Sequence, residues 1–248
     1  MRNVRVSWIA SAIAFAVALP VFAQTEPAKP ALAKEPVKEA PKPAAPAPTV
    51  AKEPAKEAAK PAAPTAVSAA AATAVAIGKP APDFKLKDVD GKDQSLAGYK
   101  GKVVVLEWSN SECPFCARHA KDKTAEKTLA GFKDKGVVWL NMDSNFGSET
   151  KIDAIKKFSK DNGLTAAWVL DPTGATGKAY GAKTTPHVFV IDQKGNLAYM
   201  GAMDDDKDGS KGDKANNYVK EAVDAVLKGS TVATATTDPY GCTVKYKG

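Results

Sequence analysis

From Gly78 onward the chain sets short apolar runs between longer stretches of helical spacing. Lys102 to Trp108 (KVVVLEW) is a continuous β-branched run, the pattern of a central strand covered on both faces. Residues 114 to 132 read as one helix, and Gly136 to Asp143 (GVVWLNMD) as a second buried strand. Ser148 to Asn162 opens on an N-cap serine, carries Ile152, Ile155 and Phe158 at helical spacing and stops before Gly163, which predicts a helix. Ala166 to Leu170 reads as a short strand and Gly174 to Tyr180 as a short helix. His187 to Asp192 and Leu197 to Met203 flank a four-residue turn ending in Gly195-Asn196, the signature of a β-hairpin. Lys214 to Leu227 gathers Tyr218, Ala222, Val223 and Val226 on one helical face. This succession predicts a single α/β domain over 78–248, a central mixed sheet flanked by helices.

The residues before Gly78 follow another pattern. Arg2 and Arg5 precede an apolar run from Trp8 to Leu19, then Pro20 and the small-residue site Val21-Phe22-Ala23, the layout of a secretory signal peptide over 1–23. The run is about a dozen residues where a membrane-crossing helix needs about 20, so cleavage is expected rather than retention as an anchor. Residues 24–77 are almost wholly Ala, Pro, Lys and Glu, and AKEPVKEAPKPAAP recurs as AKEPAKEAAKPAAP. Prolines at that density predict an extended, disordered spacer. The mature protein is therefore expected in an extracytoplasmic compartment, the periplasm, with no membrane span after cleavage.

Charge excludes one class of partner. The net +7 is dispersed: 26 of 35 basic and 23 of 28 acidic residues lie from Gly78 onward, interleaved rather than clustered. Nucleic acid is not expected.

The candidate chemistry lies in Cys113-Pro114-Phe115-Cys116, immediately after the KVVVLEW strand and at the start of a helix. A sulfur at a helix N-terminus faces unpaired backbone N–H groups, which favour thiolate over thiol. A Cys113 thiolate can then attack a disulfide, and Cys116, one turn on, can resolve the product. Pro114 fits the first turn, where a missing N–H costs nothing. A zinc half-site would need two more ligands, and Cys242, His119 and His187 offer no second paired motif. A purely structural disulfide closing so small a loop would constrain the unfolded chain little. No metal and no cofactor are expected.

These residues resemble a known family. KVVVLEWSNSECPFC is similar to the segment of the thioredoxin-like fold in which a strand delivers CxxC to a helix, and Thr185-Pro186 before HVFVID resembles its cis-proline loop. The opening Gly78-Lys79-Pro80-Ala81-Pro82-Asp83-Phe84, with Asp90-Gly91-Lys92 and Leu96, is similar to the redoxin branch, which includes peroxiredoxins and exported thioredoxin-like reductases. The resemblance implies Cys113 as nucleophile and Cys116 as buried resolving thiol. It implies that Glu107, six residues before Cys113, is a buried acid exchanging a proton with Cys116, against the alternative of a half-exposed carboxylate at a strand end. Pro186 would be cis, with Thr185, Pro186, Pro114 and Phe115 facing substrate. Trp108 is read as core. The expected function is thiol–disulfide exchange on protein substrates, with a redox partner that recycles the pair.

Two alternatives stay open: a peroxiredoxin-like antioxidant using Cys113, and a redox-inert binding module. Against the first, the PxxxTxxC pattern of peroxiredoxins finds Leu106 at the Pro position and Asn110 at the Thr position. Against the second, a binding module needs no pair of thiols at a helix start. Cys242, in the tail YGCTVKY, admits a third redox thiol, an intermolecular bridge or a buried inert residue, of which the last is favoured. The loop Asp204 to Gly209 mimics the front of a calcium loop but has Ala215 where a bidentate Glu belongs. His119 and His187 are expected at the surface or near the site rather than as ligands.

Overall fold

A computed structural model describes residues 75–247. The signal segment and almost the whole of the low-complexity spacer lie outside the described residues. Among the described residues no helix is long and apolar enough to cross a membrane.

The elements are β1 (Lys85–Asp88), β2 (Asp93–Ser95), β3 (Val103–Trp108), α1 (Pro114–Lys121), α2 (Thr124–Ala130), β4 (Val137–Asp143), α3 (Ile152–Asp161), β5 (Ala167–Leu170), α4 (Ala175–Tyr180), β6 (Thr184–Thr185), β7 (His187–Ile191), β8 (Leu197–Gly201), α5 (Tyr218–Leu227) and β9 (Cys242–Thr243). Seven strands form one sheet in the order β2-β1-β5-β4-β3-β7-β8, and β6 pairs with β9 separately. β3 runs parallel to β4 and antiparallel to β7, so the sheet is mixed as expected. This is the thioredoxin-like fold.

Every residue of β3 is buried, which is why its sequence is apolar without alternation. The pleat still sorts its side chains onto two faces. Val104, Leu106 and Trp108 enter a cluster with Leu140, Met142, Tyr180 and Phe189. Val103 and Val105 enter a second cluster with Trp139, Met203 and the α5 residues Val219, Ala222 and Val223. By the same alternation Glu107 points to that second, apolar side. Trp108 is core, as read from sequence: its ring packs on Tyr180 and Phe189 at 5.1 and 5.0 Å, and its Nε1 donates to Ser144 Oγ at 2.9 Å.

Several boundaries differ from the sequence reading. The helix expected over 114–132 is two, broken at Lys123, which takes a left-handed φ of 58°. Neither Gly nor Pro marks the break. Ser148 is not an N-cap: it is buried in a 3-10 turn, Ser148–Thr150, with its hydroxyl turned to the Asp143 carbonyl, and α3 begins after Lys151. The last helix starts at Tyr218 rather than Lys214 because Asn217 caps it, its side chain accepting from the Lys220 N–H at 2.8 Å. The hairpin β1–β2 was not expected at all.

Candidate active site

The parallel ladder of β3 and β4 continues one step past the strand, with Ser109 N–H donating to the Met142 carbonyl at 2.9 Å. The chain then turns, Cys113 N–H donating to the Asn110 carbonyl at 3.0 Å, and α1 begins. Cys113 is its extended N-cap and Pro114 occupies the first turn, as their order predicts. Cys116 follows inside that turn. Both sulfur-bearing residues are buried, Cys113 at 1% exposure and Cys116 at 3%. Pro114 is exposed and Phe115 half-buried.

The two thiols are driven apart electrostatically. A hydrogen bond from Cys116 holds the Cys113 thiol down to about 4, helped by the Thr185 side chain, the Cys116 backbone N–H and Cys242, against burial. One neighbour opposes this: the Thr185 carbonyl oxygen, 2.9 Å from Cys113 Sγ, can accept from a thiol but repels a thiolate. Cys116 moves the other way. Burial pushes it well above the ordinary thiol range, and its donated bond to Cys113 adds to that.

Behind Cys116 lies a cavity of about 20 Å3, room for about one water, lined by Glu107, Ser109, Cys116, His119, Glu126 and Asn141 among others. Glu107 is 5% exposed, which removes the strand-end alternative. It accepts from the Trp139 indole at 3.0 Å. Burial, reinforced by the charges of Glu126 and Cys113, pushes its carboxyl up to about 7. Glu126, from α2, shares this cavity. Both its carboxylate oxygens are shut off from solvent with no hydrogen-bond partner among the described residues. Sequence reading did not single it out, because the helix break that precedes it carries no Gly or Pro.

The cis-proline loop closes the other side. The Thr185–Pro186 bond is cis, as expected, and its loop sets the Thr185 carbonyl on Cys113. His187 is buried, its Nδ1 accepting from the Lys183 N–H at 3.2 Å, and burial lowers it to about 4. His119 is buried too, so neither histidine is at the surface. His119 Nε2 lies 3.1 Å from the Tyr240 hydroxyl. Asp204, from the loop that mimicked a calcium site, accepts from the same hydroxyl, and Asp206 accepts from the Lys211 and Gly212 N–H groups.

The expectation that Cys242 is buried does not hold. It is half-buried, and its sulfur lies 3.1 Å from Cys113 Sγ. Pairing of β9 with β6 sets Cys242 opposite Thr185 and brings it there across 129 residues of chain. Burial and the Cys113 sulfur push its thiol up to about 11. No spacing rule in the sequence connects residues 113 and 242.

Residues 77–200 match the model of the AhpC/TSA family. The chain belongs to that family. It is an oxidoreductase. Among curated proteins it is similar to "Thiol-disulfide oxidoreductase ResA" of Geobacillus thermodenitrificans (strain NG80-2), 34% identical over 125 residues that make up 50% of this chain and 68% of that one. It is similar also to "Thioredoxin-like protein YneN" of Bacillus subtilis (strain 168), 32% identical over 51% of this chain and 72% of that one. Among solved structures, a hypothetical protein, SMc02350, from Sinorhizobium meliloti 1021 superposes with a TM-score of 0.62 at 28% identity, covering 71% of this chain and 97% of that one. An uncharacterized conserved protein from Geobacillus kaustophilus gives a TM-score of 0.62 at 26% identity, over 71% and 94%. The family match ends at residue 200, so Cys242 and its strand lie beyond it.

Proposed function

We propose that this AhpC/TSA oxidoreductase is an exported thiol–disulfide oxidoreductase that exchanges disulfides through Cys113 and Cys116. The observation that carries the reading is the asymmetry of the pair. One sulfur sits at a helix start, held as thiolate by its neighbours; the other is sealed beneath it as thiol beside a carboxyl that titrates near neutrality.

The Cys113 thiolate attacks one sulfur of a protein disulfide, the leaving thiolate departs with the electron pair, and a mixed disulfide remains. Cys116 must then lose its proton to displace the substrate. Glu107 lines the same cavity and receives that proton in its carboxylate form. In the reverse direction it returns the proton. Thr185 and Pro186, beside the exposed Pro114 and half-buried Phe115, form the rim that an extended substrate segment meets. The signal-like first 23 residues support export to the periplasm, where a second redox protein would recycle the pair. The names of the ResA relatives support protein thiols and disulfides as substrates.

The test is exchange with a disulfide-bonded substrate protein. Cys113→Ser is expected to be inactive. Cys116→Ser combined with Cys242→Ser, which leaves no second thiol beside the nucleophile, is expected to accumulate a covalent substrate adduct on Cys113. An adduct on another residue, or exchange that persists without Cys113, would overturn the reading.

A further inference from the structure

The C-terminal residues do more than close the domain. β9 adds to the edge of the cis-proline loop, antiparallel, with Thr185 facing Cys242 and Thr184 facing Thr243. This is the edge to which an extended substrate segment would pair, and the tail's cysteine stands where a substrate's attacked sulfur would stand, 3.1 Å from Cys113 Sγ. A disulfide needs about 2.05 Å, so about 1 Å of movement joins the two sulfurs.

The strand is clamped on both sides of that contact. On one side the Tyr240 hydroxyl bonds His119 at 3.1 Å, Arg118 at 3.2 Å and Asp204, and its ring lies 6.0 Å from that of Phe115. On the other, Val244 N–H donates to the Lys183 carbonyl at 3.0 Å, Lys245 N–H to Asn145 Oδ1 at 2.9 Å, and the Tyr246 hydroxyl to the Ala182 carbonyl at 2.7 Å. Between the clamps, Gly241 takes a φ of 138°, and a Cβ there would land on the Thr185 carbonyl. The close approach of the strand requires this glycine.

We propose that the C-terminal strand docks as an internal substrate and that Cys242 is a third redox thiol, exchanging with Cys116 for Cys113. The inference rests on the thiol–disulfide reading above. In the exchange, the Cys242 thiolate attacks Cys113 Sγ of the Cys113–Cys116 disulfide. The 113–242 bond forms, the 113–116 bond breaks, and the electron pair leaves on Cys116 Sγ, which takes a proton from Glu107. The proton shed by Cys242 passes to solvent, to which that residue is half open. The number of disulfides is unchanged, so no further oxidant is needed. The oxidised protein holds its disulfide in either of two places, and an incoming substrate must lift the strand to reach Cys113.

The test is to equilibrate the full chain in a glutathione redox buffer, quench with acid, alkylate free thiols and map disulfides by mass spectrometry. In Cys116→Ser, oxidised glutathione forms a mixed disulfide with Cys113, and Cys242 is expected to displace the glutathione, giving an intramolecular 113–242 bond. Cys113 found capped by glutathione with Cys242 alkylated would overturn the proposal while leaving the dithiol reading intact. Gly241→Val in the same background keeps both thiols but forces the strand off, and the yield of the 113–242 bond is expected to fall roughly tenfold. An undiminished yield would mean that strand docking does not bring the sulfurs together. Wild type that forms a 113–242 bond but no 113–116 bond would overturn the dithiol reading and with it the exchange proposed here, leaving Cys242 as the resolving thiol of Cys113.

Discussion

Cys113 touches two other sulfurs, and the regions that supply them are built on opposite plans. Cys116 lies in the next helical turn, inside the stretch matched to the family, sealed from solvent in a cavity shared with Glu107. Its distance from Cys113 is fixed by backbone hydrogen bonds of one short helix. Cys242 comes from the far end of the chain, beyond that match, on a strand of two residues, and stays half-exposed. Its position depends on a few nonlocal hydrogen bonds, each worth about 1 kcal/mol net. A partner held by local geometry is permanent; one held by strand pairing can be displaced by another strand. The contrast separates a resolving thiol that is always at hand from one that gives way to substrate.

The sharpest break of this comparison is at the shared sulfur. Cys113→Ser is expected to lower the exchange rate by at least about a thousandfold, the scale on which loss of a nucleophile is felt, with the fold unchanged by circular dichroism. Wild-type rates in that variant would remove both plans at once.

Next in size is the helix-side device. Glu107→Gln cannot move the Cys116 proton, and resolution of a preformed mixed disulfide is expected to slow about a hundredfold. Wild type is expected to show a rate step near pH 7, where the Glu107 carboxyl titrates, and the variant to lack it. A slower rate with the step intact would make Glu107 a structural residue only.

The tail side is expected to yield more gently. Tyr240→Phe removes the hydroxyl that binds His119, Arg118 and Asp204, a loss of about 1 to 3 kcal/mol for buried partners left unpaired. Alkylation of Cys113 by a bulky reagent should then rise about tenfold, as a 1.4 kcal/mol loosening of the strand implies. Unchanged alkylation would mean that Tyr240 does not hold the strand over the site.

The smallest effect is on stability against pH. The Cys113 thiol is lowered on folding from its ordinary value near 9 to about 4, so its contribution is complete above pH 9 and lost as pH falls through 4. Reduced wild type should therefore gain stability over Cys113→Ser as pH rises between those limits. Glu107 works in the opposite sense: raised to about 7, it favours the folded state most below its unfolded value and loses that contribution as pH rises through 7. Denaturant titrations of wild type, Cys113→Ser and Glu107→Gln at several pH values separate the two slopes.

The legible part of the molecule was the part whose determinants are local. β3, β4 and the β7–β8 hairpin follow from apolar runs, and Cys113 and Cys116 declare themselves by spacing. Glu107 came from the resemblance to the thioredoxin-like fold, and strand alternation explains its burial. What sequence could not show was set by tertiary contact. The break at Lys123 carries no Gly or Pro, and it is what turns α2 to bring Glu126 to the cavity behind Cys116. The meeting of Cys242 with Cys113 depends on a two-residue strand pairing across most of the domain, which leaves no periodic trace.

The account's central claim, that Cys113 and Cys116 act as one dithiol, is tested most directly by the redox titration of the purified chain with peroxide consumption assayed on the same sample. The account predicts a two-electron couple that persists in Cys242→Ser and disappears only when Cys116→Ser is added to it, with negligible peroxide turnover in any of these chains. Rapid peroxide consumption that survives loss of Cys116 but not of Cys113 would contradict it and make the protein a peroxidase.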